Sequence, residues 1–213
     1  MSTSDRRTRS GARRRRRPGP DHPATPADPE LDADVDPESA ARTILLNKLT
    51  GQPRTRAELA GTLAERGIPA EVADRVLERF GEVGLIDDAA FAAAWVESRH
   101  TGRGLARRAL AQELRHRGVE DELVREAVDE LDPDREAATA RELVRRKLRT
   151  MKPPDGPAAR QSAMRRLLGM LARKGYPAGL AMTVISEELS ASDDELPMMD
   201  ESGLEPEEPT IDV

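Results

Sequence analysis

The chain of 213 residues has no cysteine, and its aromatic content is only 2%. The absence of cysteine excludes disulfides, thiolate metal sites and cysteine nucleophiles. Because aromatic residues are so scarce, the hydrophobic 37% of the chain must build its core mainly from Ala, Leu and Val. A core of such small side chains suits thin helical layers better than a β-sandwich or an α/β sheet.

Several other signals are missing. No apolar run is long enough to span a membrane, and no apolar stretch follows the basic N-terminus as in a secretory signal. The three histidines, His22, His100 and His116, show no metal-ligand spacing with the scattered carboxylates. Phosphate-binding GxxxxGKT and GxGxxG motifs are absent. We therefore expect a cytoplasmic protein without enzymatic activity or cofactor.

The net charge of −6 conceals segments of opposite sign. Residues 1–20 contain eight Arg and one acid, and residues 21–40 contain seven acids and no Lys or Arg. Residues 190–213 contain nine acids and no base, whereas residues 134–189 contain twelve Lys or Arg and six acids. The acidic balance therefore belongs to the ends of the chain, and the stretch 134–189 is basic.

A short pattern recurs three times along the chain: a leucine, two spacers, a basic residue, a glycine and an apolar residue. The three copies read LAERGI, LRHRGV and LARKGY, and their glycines are Gly67, Gly118 and Gly175. An aspartate precedes each glycine, by 31 residues in the first two copies and by 43 in the third. Similarity at a fixed period is typical of helical repeat proteins.

Apolar periodicity and turn residues predict nine helices in three triplets. The helices are expected near 37–50, 55–66, 69–83, 88–101, 105–117, 120–131, 133–151, 157–174 and 177–189. The expected segments are a disordered tail (1–35), three repeats (36–86, 87–131 and 132–190) and a disordered acidic tail (191–213). The predicted fold is all-α, with three tandem three-helix repeats.

Specific residues mark the ends of these helices. The expected N-caps are Asp36, Asp87 or Asp88, and Asp132, because their side chains accept hydrogen bonds from free N–H groups. Pro69 and Pro177 are expected to begin the third helices of two repeats. The three repeat glycines are expected in the left-handed conformation that closes a helix, followed by the apolar residue of a Schellman motif.

The second repeat contains a distinctive series of motifs. They are a Gly-Leu-Ile-Asp-Asp start, a Phe-Ala pair, a basic residue before a glycine turn, and a Leu-basic-x-x-Gly close. The residues concerned are Gly84, Leu85, Ile86, Asp87, Asp88, Phe91, Ala92, Arg99, Gly102, Glu113, Leu114, Arg117 and Gly118. In these residues the chain resembles the RecX family of recombination regulators. The resemblance extends over about residues 38–189, and its central stretch is the most specific part.

This resemblance implies an elongated, curved solenoid that regulates the RecA recombinase. Family members bind the RecA filament on single-stranded DNA, lie in its groove and bridge neighbouring protomers. They thereby suppress ATP hydrolysis, strand exchange and co-protease activity, with roles in DNA repair, recombination and the SOS response. Some members also bind DNA. By resemblance we expect a monomeric, non-enzymatic RecA modulator in the cytoplasm, with no membrane partner and with possible non-specific contact to single- or double-stranded DNA.

The strongest candidate for a binding surface is the first helix of the third repeat. Arg141, Arg145 and Arg149 recur there at i, i+4 and i+8. Like charges at this spacing mildly destabilise an isolated helix, and a polyanion or an acidic partner would relieve their repulsion. The alternative is an ordinary solvated helix face. The full candidate set is Arg141, Arg145, Arg146, Lys147, Arg149, Lys152, Arg165, Arg166, Arg173 and Lys174.

Three further features have competing interpretations. Phe91 and Trp95, at i and i+4, are interpreted as core rather than as a platform for stacking bases. The run from Arg13 to Arg17 is either a DNA-contacting arm or a solubility tail. The acidic C-terminal tail either screens the basic repeat, mimics nucleic acid, or has no role beyond solvation.

Two other functions stay open from the sequence. The first is a non-specific DNA-binding helical protein without a recombinase partner. Three-helix units resemble helix-turn-helix modules, but the segments AEVADRVLERF and DELVREAVDEL are acidic or apolar and unsuited to reading base edges. The second is a general helical adaptor with no effect on a recombinase.

Overall fold

Nine α-helices and no strand form the part of the chain that the computed structural model describes, residues 36–194, with side chains described to residue 191. The helices are α1 (Pro37–Gly51), α2 (Arg56–Glu65), α3 (Ala70–Glu82), α4 (Asp88–Arg103), α5 (Arg107–His116), α6 (Asp121–Asp129), α7 (Pro133–Arg149), α8 (Gly156–Arg173) and α9 (Ala178–Asp194). They pack as three consecutive triplets, α1–α3, α4–α6 and α7–α9. This arrangement confirms the all-α fold of three three-helix repeats.

Helix starts follow the predicted caps. The side chain of Asp36 accepts from the Ser39 N–H at 3.1 Å, and the side chain of Asp87 accepts from the Ala90 N–H at 2.8 Å. Asp132 caps α7 in the same way, through the N–H of Asp134. Each cap satisfies a donor that the first turn of a helix leaves free.

Most helix ends lie within two residues of the prediction, and the end of the last helix differs by five. The helices expected to begin at Pro69 and Pro177 begin one residue later, and both proline carbonyls accept the first intrahelical hydrogen bond, so these prolines occupy the cap position. The last helix was expected to end at residue 189, but α9 continues to Asp194. No Gly or Pro interrupts the sequence between Gly179 and Pro197, so nothing in residues 190–194 stops the helix. Both tails, apart from residues 191–194, lie outside the described residues.

All three repeat glycines close a helix as predicted. Gly67, Gly118 and Gly175 have φ of 73°, 77° and 88°. The N–H of each glycine and the N–H of the following apolar residue donate back into the last turn, in the pairing of a Schellman motif. The apolar residues after them, Ile68, Val119 and Tyr176, are buried. Each closure therefore also contributes a side chain to its repeat's core.

Each repeat has a hydrophobic cluster built around its second helix. The equivalent leucine pairs of the second helices are completely buried, and they are Leu59 and Leu63, Leu110 and Leu114, and Leu167 and Leu171. Ala106, which precedes α5 in the second repeat, belongs to the cluster of the third repeat. The clusters are thus separate cores that interlock at the junctions between repeats.

Successive second helices meet end to end at two equivalent joints. At the first joint, the Thr55 hydroxyl at the start of α2 donates to the Arg117 carbonyl at the end of α5, at 2.7 Å. At the second, the Ala106 N–H at the start of α5 donates to the Lys174 carbonyl at the end of α8, at 2.9 Å. The carbonyl end of one helix thus faces the amide end of another, which is the favourable alignment of helix dipoles.

Close backbone approach at both joints requires glycine. A Cβ placed on Gly118 would collide with the Ala57 side chain, and one placed on Gly175 would lie 2.5 Å from the Ala109 nitrogen. Gly67, the equivalent residue of the first repeat, has no atom of the described residues within 4 Å of such a Cβ. Gly118 and Gly175 therefore serve both helix closure and repeat docking, whereas among residues 36–194 Gly67 takes part in closure alone.

Carboxylates from the following repeat complete each joint. The first N–H of α2, from Arg56, donates to Asp88 of α4 at 2.8 Å, and the first N–H of α5, from Arg107, donates to Glu136 of α7 at 2.9 Å. These side chains lie 32 and 29 residues away from the amides they accept from. Because they cap a helix of another repeat, they fix the register between neighbouring repeats.

An arginine–carboxylate pair joins α4 to α7. Arg135 donates to both oxygens of Glu97, at 2.7 and 2.6 Å. Nearby, the buried ring of His100 contacts the Leu105 carbonyl through Nδ1 and the Thr139 hydroxyl through Nε2. Since both ring nitrogens have partners in the fold, His100 has a structural role.

Replacing the repeat glycines by alanine tests the two functions of these residues. Gly67→Ala should lower the free energy of unfolding by about 1 kcal/mol, the cost of a Cβ in the left-handed region. Gly118→Ala and Gly175→Ala should each lower it by about 1–3 kcal/mol more, because the added methyl group also forces the joint apart. Urea unfolding followed by circular dichroism measures the difference, and equal losses at all three positions would contradict the joint.

The Glu97–Arg135 pair predicts a pH effect. Hydrogen bonds from Arg135 and then Thr101 lower the pKa of Glu97 from 4.5 to about 2. The pair therefore stabilises the fold above about pH 4.5, and that contribution is lost as pH falls through 2. It is small, because both side chains are exposed. NMR titration of the Glu97 carboxyl should show the low pKa, and Arg135→Gln should raise it; titration near 4.5 in the unchanged protein would refute the pairing.

Candidate protein- and nucleic-acid-binding surface

The third repeat carries all ten candidate cations on or next to two helices. Six lie on α7 or just after it: Arg141, Arg145, Arg146, Lys147, Arg149 and Lys152. Four lie on α8 or at its end: Arg165, Arg166, Arg173 and Lys174. Opposite the cations of α7, Ala140, Leu143 and Val144 are buried in the third cluster. The amphipathic pattern of α7 therefore positions its basic side chains outward.

Two members of the arginine row have partners inside the molecule. Arg145 donates from Nε to the Glu188 carboxylate at 2.7 Å, and Arg141 donates in the same way to Glu187 at 3.4 Å. The hydrogen bond to Glu188 raises the pKa of Arg145, and the Glu188 side chain is only 9% exposed. These pairs attach α7 to α9, a role that helical spacing alone does not reveal.

Four cations towards the end of α7 are exposed and make no ion pair with any carboxylate of the described residues. They are Arg146, Lys147, Arg149 and Lys152, and we refer to them as the α7 basic face. Arg165, Arg166 and Arg173 on α8 are likewise exposed and lack an ion pair within residues 36–191. The α7 basic face is therefore the part of the predicted surface with the most uncompensated charge.

Lys174 lies at the joint between the second and third repeats. Its ammonium group donates to the Arg103 carbonyl at 2.5 Å, while its own carbonyl accepts from Ala106. Burial lowers the pKa of Lys174, and the charges of Arg146 and Arg103 lower it further. A cation of the α7 basic face therefore lies near the joint, together with Arg103, a residue that the sequence analysis did not select.

Phe91 belongs to the core, as predicted, and Trp95 is half-buried and packs against it. Phe91 is buried in the second cluster, and the two rings stack with centroids 5.6 Å apart. The guanidinium carbons of Arg99 and Arg117 lie 4.0 and 3.9 Å from the Trp95 ring centroid. The indole N–H donates to Glu113 at 3.0 Å. These contacts engage the indole with neighbouring side chains of the second repeat, which favours a packing role over stacking of a base.

An apolar groove between the first two repeats was not anticipated from the sequence. It encloses about 370 Å³ and is lined by the end of α1, the loop after it, the α3–α4 turn and one face of α4. Its apolar lining includes Leu49, Leu85 and Trp95. Leu85 is about half exposed, and so is Leu46, which lies on α1 one turn before Leu49. The groove depends on how two repeats dock, so no single stretch of sequence encodes it.

Other functional expectations concern different parts of the chain. His22 and the run from Arg13 to Arg17 lie outside the described residues, as does the acidic sequence after Asp194. Within residues 36–194, no helix is both long and apolar enough to cross a membrane. In the same part of the chain, no group of three or more His, Asp or Glu side chains is arranged to hold a metal ion.

Comparison with protein families gives a match for each repeat. Residues 41–80 match the first three-helix domain of RecX, residues 87–128 the second, and residues 134–185 the third. The three matches follow the order of the α1–α3, α4–α6 and α7–α9 triplets.

Curated relatives are similar over most of their length. The chain is 59% identical to the regulatory protein RecX of Thermobifida fusca (strain YX) over 153 residues, which cover 71% of this chain and 80% of that protein. It is 54% identical to the regulatory protein RecX of Streptomyces lividans over 168 residues, 79% of this chain and 87% of that protein.

Solved structures show the same fold at low sequence identity. A crystal structure of RecX from Lactobacillus salivarius superimposes with a TM-score of 0.63 at 17% identity, covering 71% of this chain and 96% of the other. A second crystal structure of a regulatory protein RecX gives 0.60 at 22% identity, covering 71% of this chain and 72% of the other. With three matched domains in order and relatives more than half identical, the chain belongs to the RecX family of regulatory proteins.

Proposed function

We propose that this protein binds the RecA recombinase filament on single-stranded DNA and inhibits its ATPase, strand-exchange and co-protease activities. The observation that carries the proposal is that all three repeats match domains of the RecX family. Relatives of this chain in that family are named regulatory proteins. The protein would act as a cytoplasmic monomer, without catalysis or cofactor, in DNA repair, recombination and the SOS response. The repeats 36–86, 87–131 and 132–190 would be its binding units.

The joints support a mechanism in which the protein bridges neighbouring protomers of the filament. Because Gly118 and Gly175 fix each repeat against the previous one, contacts made by different repeats have a fixed spacing. A ligand with regularly spaced subunits can engage such repeats together, and linked contacts bind more tightly than separate ones. Bridging would hold the filament in one state and block its extension.

Charge supports a polyanionic or acidic target at the third repeat. The four side chains of the α7 basic face repel one another and lack carboxylate partners among the described residues. Binding to DNA phosphates or to an acidic surface of the recombinase would relieve this repulsion. The same face gives the second candidate function, non-specific DNA binding without a recombinase, which would show a steep dependence of affinity on salt.

The shape of the ATPase inhibition curve tests the proposed function. We expect ATP hydrolysis by RecA on single-stranded DNA to fall when the purified protein is present at far less than one copy per RecA, because one bound molecule blocks many protomers. Inhibition that develops only as the DNA becomes saturated would favour competition for the strand. No effect at any ratio would exclude the proposal and leave a helical adaptor.

Charge reversal on the α7 basic face tests the candidate surface. Lys147→Glu combined with Arg149→Glu should weaken filament binding about tenfold, since lost and repelling contacts of this kind cost about 1.4 kcal/mol together. Arg75→Glu combined with Arg108→Glu is the matched control, because these residues are exposed on α3 and α5 and also lack ion pairs among residues 36–191. Fluorescence anisotropy of the labelled protein gives the affinity.

Reversal of Arg141 and Arg145 is avoided in this test, because it would also break the α7–α9 pairs. If the α7 double variant binds as tightly as the control variant, the assignment of the surface is wrong, whatever the ATPase experiment shows.

A further inference from the structure

Ion pairs between α7 and α9 already neutralise two members of the arginine row formed by Arg141, Arg145 and Arg149. Arg141 pairs with Glu187 and Arg145 with Glu188, so α9 packs beside the middle of α7. The pairing stops one turn before the end of α7. Beyond it lies the α7 basic face, without carboxylate partners among the described residues.

The chain leaves the third repeat at the same end as this face. Arg160, in the second turn of α8, donates to the Ser190 hydroxyl at 3.4 Å, which places the end of α9 beside the start of α8. Only the six residues 150–155 separate α7 from α8, so the end of α7 lies there as well. The sequence after Asp194 therefore continues from a point close to the uncompensated cations.

That sequence has the complementary charge and sufficient length. Residues 195–213 contain seven acids and no Lys or Arg. Nineteen extended residues span up to about 65 Å, whereas the 17 residues of α7 are about 25 Å long. A tethered segment of this length has an effective concentration in the millimolar range near its attachment point. Several weak ion pairs are then sufficient for substantial occupancy, even though each one contributes little.

We propose that the acidic segment 195–213 docks on the α7 basic face and competes there with the anionic partner. The docked segment extends the α7–α9 ion pairing along the rest of α7. It thereby inhibits binding of the partner intramolecularly. The regulatory part of this inference rests on the proposed function. The docking of the segment on the α7 basic face requires no recombinase. Salt loosens the contact by screening its charges.

Docking is tested by NMR on the full-length protein. The comparison variant carries an amide at each of the seven acids of the segment, with the substitutions E195Q, D200N, E201Q, E205Q, E207Q, E208Q and D212N. Backbone amide signals of residues 146–152 should shift between the two proteins at low salt and coincide at about 1 M salt. Signals of α1–α3 are the internal control. Differences confined to the segment itself would overturn the proposal.

Competition is tested by a double-mutant cycle with a labelled 30-nucleotide oligothymidylate. Amide substitution of the segment should tighten binding about tenfold at low salt, but it also raises net charge. The same substitution is therefore made in the Lys147→Glu, Arg149→Glu background, where it should change the affinity less than twofold.

Equal tightening in both backgrounds would show a net-charge effect and refute competition at this face. A protein that binds no oligothymidylate in any variant would likewise refute competition with nucleic acid, although the NMR result would stand. RecA is absent from both experiments. Failure of this inference can therefore be distinguished from failure of the proposed function, which the RecA ATPase experiment tests.

Discussion

The end-to-end contact between successive second helices is the constraint on which the structure depends. Each second helix closes with a glycine, and two of these glycines allow the helix end to reach the first turn of the preceding repeat's second helix. A carbonyl of the closing turn then accepts a hydrogen bond from Thr55 or from the Ala106 N–H. Together with the carboxylate caps from the following repeats, these contacts hold the three cores in a fixed register.

This register determines what the surface offers a partner. It forms the apolar groove between the first two repeats, and it sets Lys174 and Arg103 close to the α7 basic face. The proposed function would use this arrangement through several contact points at fixed spacing and through the cations at the end of α7, which have no carboxylate partner among the described residues.

Local chemistry made much of the fold predictable, and long-range contacts set the limit. Aspartate caps and left-handed glycines act within a few residues, so the sequence indicates Asp36, Asp87 and Gly67 directly. The pairing of Arg141 with Glu187 spans 46 residues, and spacing along one helix contains no information about it. The sequence therefore predicted that this face of α7 is basic. Only the packing of α9 against α7 shows which of its cations form ion pairs and which do not.

Native-state hydrogen exchange of the Ala106 amide tests the joint most directly. In the structure this N–H, at the end of a connecting loop, donates to Lys174 of the next repeat. The account predicts that Ala106 exchanges as slowly as core amides such as those of Leu110 and Leu114, and that Gly175→Ala accelerates it selectively. Rapid exchange of Ala106 in the unchanged protein, at the rate of an exposed loop amide, would contradict the claim that the repeats are held in one register.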